Sequence, residues 1–183
     1  MNELSGNFSA HPEPLLRMDK VTVRAEWDLL LVAVENTASF AAAVACSIST
    51  AGTIAFYGGL GSGKTTFIQA LGAGLGCRGL VTSPTYSIIN RYEGGRLPLV
   101  HVDCYRVKGE EELYGIGLEE VLAEPAVVCV EWSEKAENLL PVERLEVRLA
   151  SRGRQGRQAQ VRIYGALWPQ LESEVNLWRE RNV

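Results

Sequence analysis

Apolar positions recur at two spacings along this chain, and the alternation marks out its elements. Residues 29–34 form a short apolar run that reads as a strand, and Asn36 or Thr37 is placed to cap a helix through about Ile48. The compact run TIAFY, 53–57, predicts a buried strand. Phe67, Ile68, Leu71 and Leu75 then recur at helical spacing across 65–75. Residues 86–92 and 97–102 are strand-like and joined by Glu93-Gly94-Gly95-Arg96, which predicts a hairpin. Residues 127–130 are a fully apolar strand ending at Glu131, and 144–149 with 158–164 suggest a second hairpin across a Gly/Arg-rich turn. Trp168, Leu171, Val175 and Trp178 make a stripe for a C-terminal amphipathic helix. Residues 1–27 are polar and interrupted by Pro12 and Pro14, which reads as a flexible N-terminal extension. The expectation is one α/β domain over 28–166, with a mixed central sheet flanked by helices, and a helical tail over 167–183.

From Asn36 to Gly63 no residue is charged, a length that raises the question of a membrane span. Ser39, Ser47, Ser49, Thr50, Gly52 and Thr53 interrupt it, whereas a span needs roughly 20 predominantly apolar residues. A buried helix followed by a buried strand is the better reading, and no membrane association is expected. Composition agrees with a globular chain: 46% hydrophobic and 22% charged residues are too apolar for disorder. A net charge of −4 argues against a broad nucleic-acid surface. Cys46, Cys77, Cys104 and Cys129 form no CxxC pair, and with His11 and His101 they make no zinc-site spacing. Four reduced thiols and a cytoplasmic location are the expectation. The N-terminus lacks the charged and apolar regions of a signal peptide.

Half of the 18 glycines lie between Gly52 and Gly79. Within that stretch Gly58, Gly59, Leu60, Gly61, Ser62, Gly63, Lys64 and Thr65 match G-x4-G-K-[ST] without a mismatch, between a predicted strand and a predicted helix. Glycines let the chain curl so that backbone N–H groups converge on phosphate oxygens, and the helix N-terminus adds a favourable field for anions. Lys64 supplies a mobile positive charge for the β- and γ-phosphates, and the Thr65 hydroxyl is a ligand for Mg²⁺. The fold class is therefore that of a P-loop NTPase-like domain.

Turnover also needs acids to hold the metal and orient water. The C-terminal ends of parallel strands line the ligand crevice of an α/β sheet, so apolar strands ending in carboxylates are the source to look for. Two exist, LVHVD ending at Asp103 and VVCVE ending at Glu131. Having two permits one to support the metal and the other to activate water. Thr82-Ser83-Pro84-Thr85 lies between the P-loop helix and the first hairpin, where a loop can sense the γ-phosphate and the metal. A Pro turn with hydroxyl caps accounts for the same spacing.

Other P-loop classes lack their signatures here. There is no NKxD or DxxG for a small GTPase and no LSGGQ-like segment for an ABC-type ATPase. A small-molecule kinase fits the loop, with Arg152, Arg154 and Arg157 imitating an arginine lid, although their place in an apparent hairpin turn suits a solvated tip. A nucleotide-dependent binding module without significant turnover is a further alternative. The ordered set GGLGSGKTTF, VTSPTYSI, HVDCYR, GIGLEE and VEW, from about Leu31 to about Tyr164, resembles the TsaE family of small ATPases in bacterial tRNA threonylcarbamoyladenosine biosynthesis. The resemblance implies ATP binding at Gly58 through Thr66, with Mg²⁺-dependent hydrolysis to ADP and phosphate that is slow without a partner. It implies Thr65, Asp103 and Glu131 at the metal, Lys64, Glu131 and Thr85 in catalysis, and Ser83-Pro84-Thr85 as a switch-like segment. It implies as partner the TsaD–TsaB heterodimer, reset by hydrolysis, with tRNA reached indirectly through that complex. Glu131 is expected to serve the attacking water and Asp103 the metal shell. Gly59 departs from the family, where Asp or Asn is common.

Overall fold

The structure is a computed structural model and describes residues 22–153 and 156–182. Seven strands form one sheet in the order β1-β7-β6-β2-β5-β4-β3. They are β1 (Val23–Leu31), β2 (Gly52–Tyr57), β3 (Ile89–Tyr92), β4 (Leu99–Asp103), β5 (Val127–Glu131), β6 (Arg144–Arg152) and β7 (Gly156–Tyr164). The central four, β6-β2-β5-β4, run parallel; at one edge β3 pairs antiparallel with β4, and at the other β7 pairs antiparallel with both β6 and β1. The mixed α/β sheet flanked by helices is the expected fold class.

Side chains alternate across a strand, so each central strand divides its residues between two faces. Ile54 and Phe56 of β2, Leu99 of β4, and Val127 and Cys129 of β5 lie in one core. Ala55, Tyr57, Val100, Val102, Val128 and Val130 lie in the other. The first core is closed by α1 (Val34–Ser47), α2 (Lys64–Leu75) and α5 (Leu171–Asn182). The second lies under the short helices α3 (Glu110–Gly115) and α4 (Leu118–Leu122). Near-continuous apolar runs are what strands covered on both faces require, and they explain why 53–57 and 127–130 were legible as buried strands.

The uncharged stretch resolves as expected into a helix, α1, followed by the buried strand β2. Among the described residues no helix is long and apolar enough to cross a membrane. Several boundaries move. The first strand begins at Val23, earlier than the expected residue 29, because β1 pairs with β7 along its length from Val23 opposite Tyr164 to Leu31 opposite Arg157. Helix α1 starts at Val34, ahead of the expected caps: Asn36 already sits inside the first turn and accepts the Ala33 N–H on its Oδ1 at 3.2 Å. In the first hairpin, β3 starts only at Ile89, since Ile88 has a positive φ of 64° and its N–H donates to Pro84 O at 2.6 Å, a local turn. Of the expected extension, residues 1–21 lie outside the described residues.

The C-terminal stripe forms α5, although Trp168 lies before the helix, with a φ of 42°. Trp168, Leu171, Val175 and Trp178 are buried in the same core as the P-loop helix. Residues 171–182 thus complete this core instead of trailing from it. Trp178 packs on Phe40 of α1 at 4.9 Å between ring centroids and donates its Nε1–H to Ser39 Oγ at 3.0 Å. All four cysteines are free thiols. Burial pushes the Cys104 thiol up to about 12, which keeps it protonated and unreactive at neutral pH.

Removing the Trp178 ring opens a void between α1 and α5. Trp178→Ala is expected to lower unfolding free energy by about 3 kcal/mol, read from urea denaturation, as large-to-small core changes typically do. A loss under about 1 kcal/mol, the level of an ordinary surface change, contradicts this packing of α5.

Candidate nucleotide and metal site

The chain leaves β2 at Tyr57, passes through 58–63 and enters α2 at Lys64. The helix begins on Gly63 in the left-handed region, φ 103°, with no side chain capping its first turn. Its first N–H groups are therefore available to an anion, and the helix field favours one there. Two neighbouring glycines play different parts. Gly58 has a φ of 132°, and a Cβ there would stand 2.1 Å from the carbonyl oxygen of Leu149. A Cβ at Gly59 would meet nothing within 4 Å, so the departure from the family pattern at this position carries no steric consequence.

Lys64 is 4% exposed and its Nζ donates to Gly58 O at 2.7 Å and Gly59 O at 3.0 Å. The ammonium also stands 4.2 Å from the centre of the Trp132 ring, a cation–π contact. Burial holds the lysine below its usual range, against the opposing pull of Glu131, Glu134 and Asp103. Such a charge, held by weak neutral partners, is poised to exchange them for a polyanion. Trp132 itself has a φ of 59° and stacks on Tyr105 at 5.0 Å, which closes one side of the cleft.

Strand parity places the acids. On β5, Glu131 shares its face with Cys129 and Val127; on β4, Asp103 and His101 share theirs with Leu99. Both rows face α2, and Asp103 is directly opposite Glu131 in the parallel register. Glu131 is 3% exposed, and its Oε1 accepts the Thr65 hydroxyl at 2.6 Å and His101 Nε2 at 3.0 Å. Asp103, also 3% exposed, takes the hydroxyls of Ser83 and Thr85 on Oδ2 at 2.9 and 2.7 Å, and the Tyr105 N–H on Oδ1 at 3.0 Å. The hydroxyl pair Ser83 and Thr85 is 2.6 Å apart. A cleft of about 280 Å³ is lined by 60–66 of the loop together with Ser83, Thr85, Asp103, Glu131 and Trp132.

The structure thus brings Leu60, Gly61, Ser62, Gly63, Lys64, Thr65, Thr66, Thr85, Asp103 and Glu131 to one cleft, with Gly58 and Gly59 holding Lys64 beside it. Two buried carboxylates and a hydroxyl are hard oxygen donors of the kind Mg²⁺ takes, so the donor set fits that ion. One residue of the site was missed and another, weighed for an arginine lid, was set aside. His101 was weighed only as a zinc ligand; period-2 parity with Asp103 was the signal that it faces the site. Arg157 was read at a solvated tip, yet it lines the cleft and bonds to the phosphate loop. Of the other arginines considered for a lid, Arg152 ends β6 exposed and Arg154 lies outside the described residues.

A strand, a glycine loop running into a helix, and acids at the ends of adjacent parallel strands define a P-loop α/β protein. The sequence model of the family described as "Threonylcarbamoyl adenosine biosynthesis protein TsaE" matches residues 31–159. The chain is 35% identical over 142 residues to the tRNA threonylcarbamoyladenosine biosynthesis protein TsaE of Bacillus subtilis, covering 78% of this chain and 89% of that one. The protein of the same name from Nostoc is 34% identical over 126 residues, covering 66% and 76%. The crystal structure of Bacillus subtilis YdiB superposes with a TM-score of 0.70 at 30% identity, covering 84% of this chain and 95% of that one. The chain belongs to the TsaE family, whose members act in tRNA threonylcarbamoyladenosine biosynthesis.

The contrast between the two glycines is testable. Gly58→Ala forces a side chain into a φ it rarely adopts and against backbone, and should cost more than about 1 kcal/mol in urea denaturation. Gly59→Ala should stay within about 0.5 kcal/mol of the wild type, as surface substitutions do. Equal effects would contradict this loop geometry.

Proposed function

We propose that the protein is a Mg²⁺-dependent ATPase of the tRNA threonylcarbamoyladenosine system, which binds the TsaD–TsaB heterodimer and resets it by hydrolysing ATP. The observation that carries the reading is the 2.6 Å hydrogen bond from Thr65 to Glu131, which joins the first hydroxyl of the P-loop helix to a buried strand-end acid. P-loop NTPases hold Mg²⁺ with the corresponding Ser/Thr and a strand-end Asp, a place that Glu131 takes here. Family membership supports the partner, since the relatives are named for the same biosynthesis.

The proposed roles follow from the hydrogen bonds. The loop amides and Lys64 bind the phosphate chain, Lys64 leaving the carbonyls of Gly58 and Gly59 to do so. Thr65 and Glu131 would hold Mg²⁺ against the phosphates, and His101 orients Glu131 from behind. When bound, the ion supplies charge neutralisation at the β- and γ-phosphates. Asp103 gathers Ser83 and Thr85, so it is the acid that ties the switch-like segment to the cleft and stands ready for the attacking water. These bonds favour Glu131 for the metal shell and Asp103 for water and loop, a division opposite to the one expected with the family resemblance. Trp132 and Tyr105, with ring centroids 5.0 Å apart, form part of the wall of the cleft.

The test is phosphate release measured with and without TsaD–TsaB, and stimulation by the heterodimer is the expected result. ADP formed without free phosphate, and only when a small metabolite is added, would overturn it in favour of a kinase. Lys64→Ala should weaken ATP binding and abolish turnover; unchanged affinity and rate would sink the P-loop assignment.

In the same stimulated assay, Glu131→Gln should raise the Mg²⁺ concentration for half-maximal rate. Asp103→Asn should keep nucleotide and Mg²⁺ binding but slow hydrolysis by about 10²–10⁴-fold, the range for loss of a general base. The reverse pattern would return the water to Glu131.

A further inference from the structure

The hairpin β6–β7 reaches the nucleotide site through one side chain. Arg157 follows the first residue of β7, and its row continues through Ala159, Val161 and Ile163, which are buried in the core on the α1 and α2 side. Parity therefore sends Arg157 toward the phosphate loop. Its guanidinium donates from Nε to Ser62 O at 2.8 Å and from Nη2 to Gly61 O at 3.1 Å. A third bond, Nη1 to Gly156 O at 2.8 Å, fixes the fork on its own strand. The backbone beneath is paired on both sides, with Ser151 of β6 and Leu31 of β1. Gly156 makes that base tight: a Cβ there would lie 2.8 Å from Arg152 O.

These contacts shape the anion site. In a trans peptide the N–H points opposite to the C=O. An arginine holding Ser62 O therefore also fixes the direction of the Gly63 N–H, in the loop that lines the cleft. A planar fork reaches two successive carbonyls at once; a lysine ammonium is a point charge without that geometry.

Building on the reading of this cleft as an ATP site, we propose that Arg157 is a positioning residue that tethers the carbonyls of Gly61 and Ser62 and so keeps the phosphate loop in its binding shape before nucleotide arrives. It acts on both di- and triphosphate binding, because it sets the loop that both would use. Its base on the β6–β7 hairpin makes the hairpin part of the nucleotide machinery.

The experiment compares full-length wild type, Arg157→Lys and Arg157→Met. Amide exchange over 59–66 is measured without nucleotide, and affinity is measured for ADP and for a non-hydrolysable ATP analogue. Both substitutions should speed exchange in 59–66 while leaving exchange in β2 and β5 unchanged, which shows the fold intact. Both should weaken ADP and analogue alike, by about tenfold, the scale expected when charge-assisted hydrogen bonds are lost. Unchanged exchange in the loop overturns the tether. Full rescue by lysine, or a loss confined to the analogue, also overturns it and makes Arg157 a phosphate-contacting charge. Wild-type protein that binds neither nucleotide contradicts the ATP reading itself, and the exchange comparison then still decides the tether.

Discussion

The hydrogen bond from Thr65 to Glu131 is the joint on which the site depends. It links the first turn of α2 to the end of β5, and so fixes how the P-loop sits over the sheet. It forms only because β2 and β5 run parallel and adjacent, with Phe56 opposite Glu131, and because Glu131 falls on the face of β5 toward α2. A shift of one residue in that register would turn Glu131 to the other face and bury its carboxylate among Val128 and Val130. A buried carboxylate is costly unless bonded, and here two donors, Thr65 and His101, satisfy one oxygen. Stability of the core and readiness of the site thus rest on the same register.

The two acids divide the cleft between two kinds of partner. Glu131 bonds to elements that the core holds rigid, α2 and β4. Asp103 bonds to Ser83 and Thr85, in a segment without regular structure whose Tyr86 is 87% exposed. A rigid acid suits a metal that must be held in one geometry, whereas an acid tied to a loop suits a step that depends on what occupies the cleft. Lys64 links both, through its contact with Trp132 beside Glu131 and the field of the two carboxylates.

Much of this was legible in the sequence, and for physical reasons. The strands buried on both faces announce themselves as unbroken apolar runs, and the loop 58–65 matches a contiguous motif, so both can be recognised from local sequence. The roles of the acids were less legible. Strand ends put Asp103 and Glu131 at one edge, but which of them meets Thr65 depends on strand order, with β5 next to β2 and β4 beyond it. Arg157 was misplaced because the strand was expected to start at 158; the sheet extends β7 to Gly156, pairing Arg157 with both neighbours and Gly156 with Arg152 of β6. The early start of β1 has the same origin, a long-range pairing with β7 that local pattern does not report.

The proposed ATP reading, with Asp103 bonded to Ser83 and Thr85, implies that loop, acids and Ser83-Pro84-Thr85 respond to nucleotide as one unit. Amide exchange across the chain, with Mg²⁺ and either ADP or a non-hydrolysable ATP analogue, tests it directly. We expect protection of 58–66 with both nucleotides and additional protection of 82–87 with the analogue alone. Equal protection of 82–87 in both states, or none in 58–66, would contradict it.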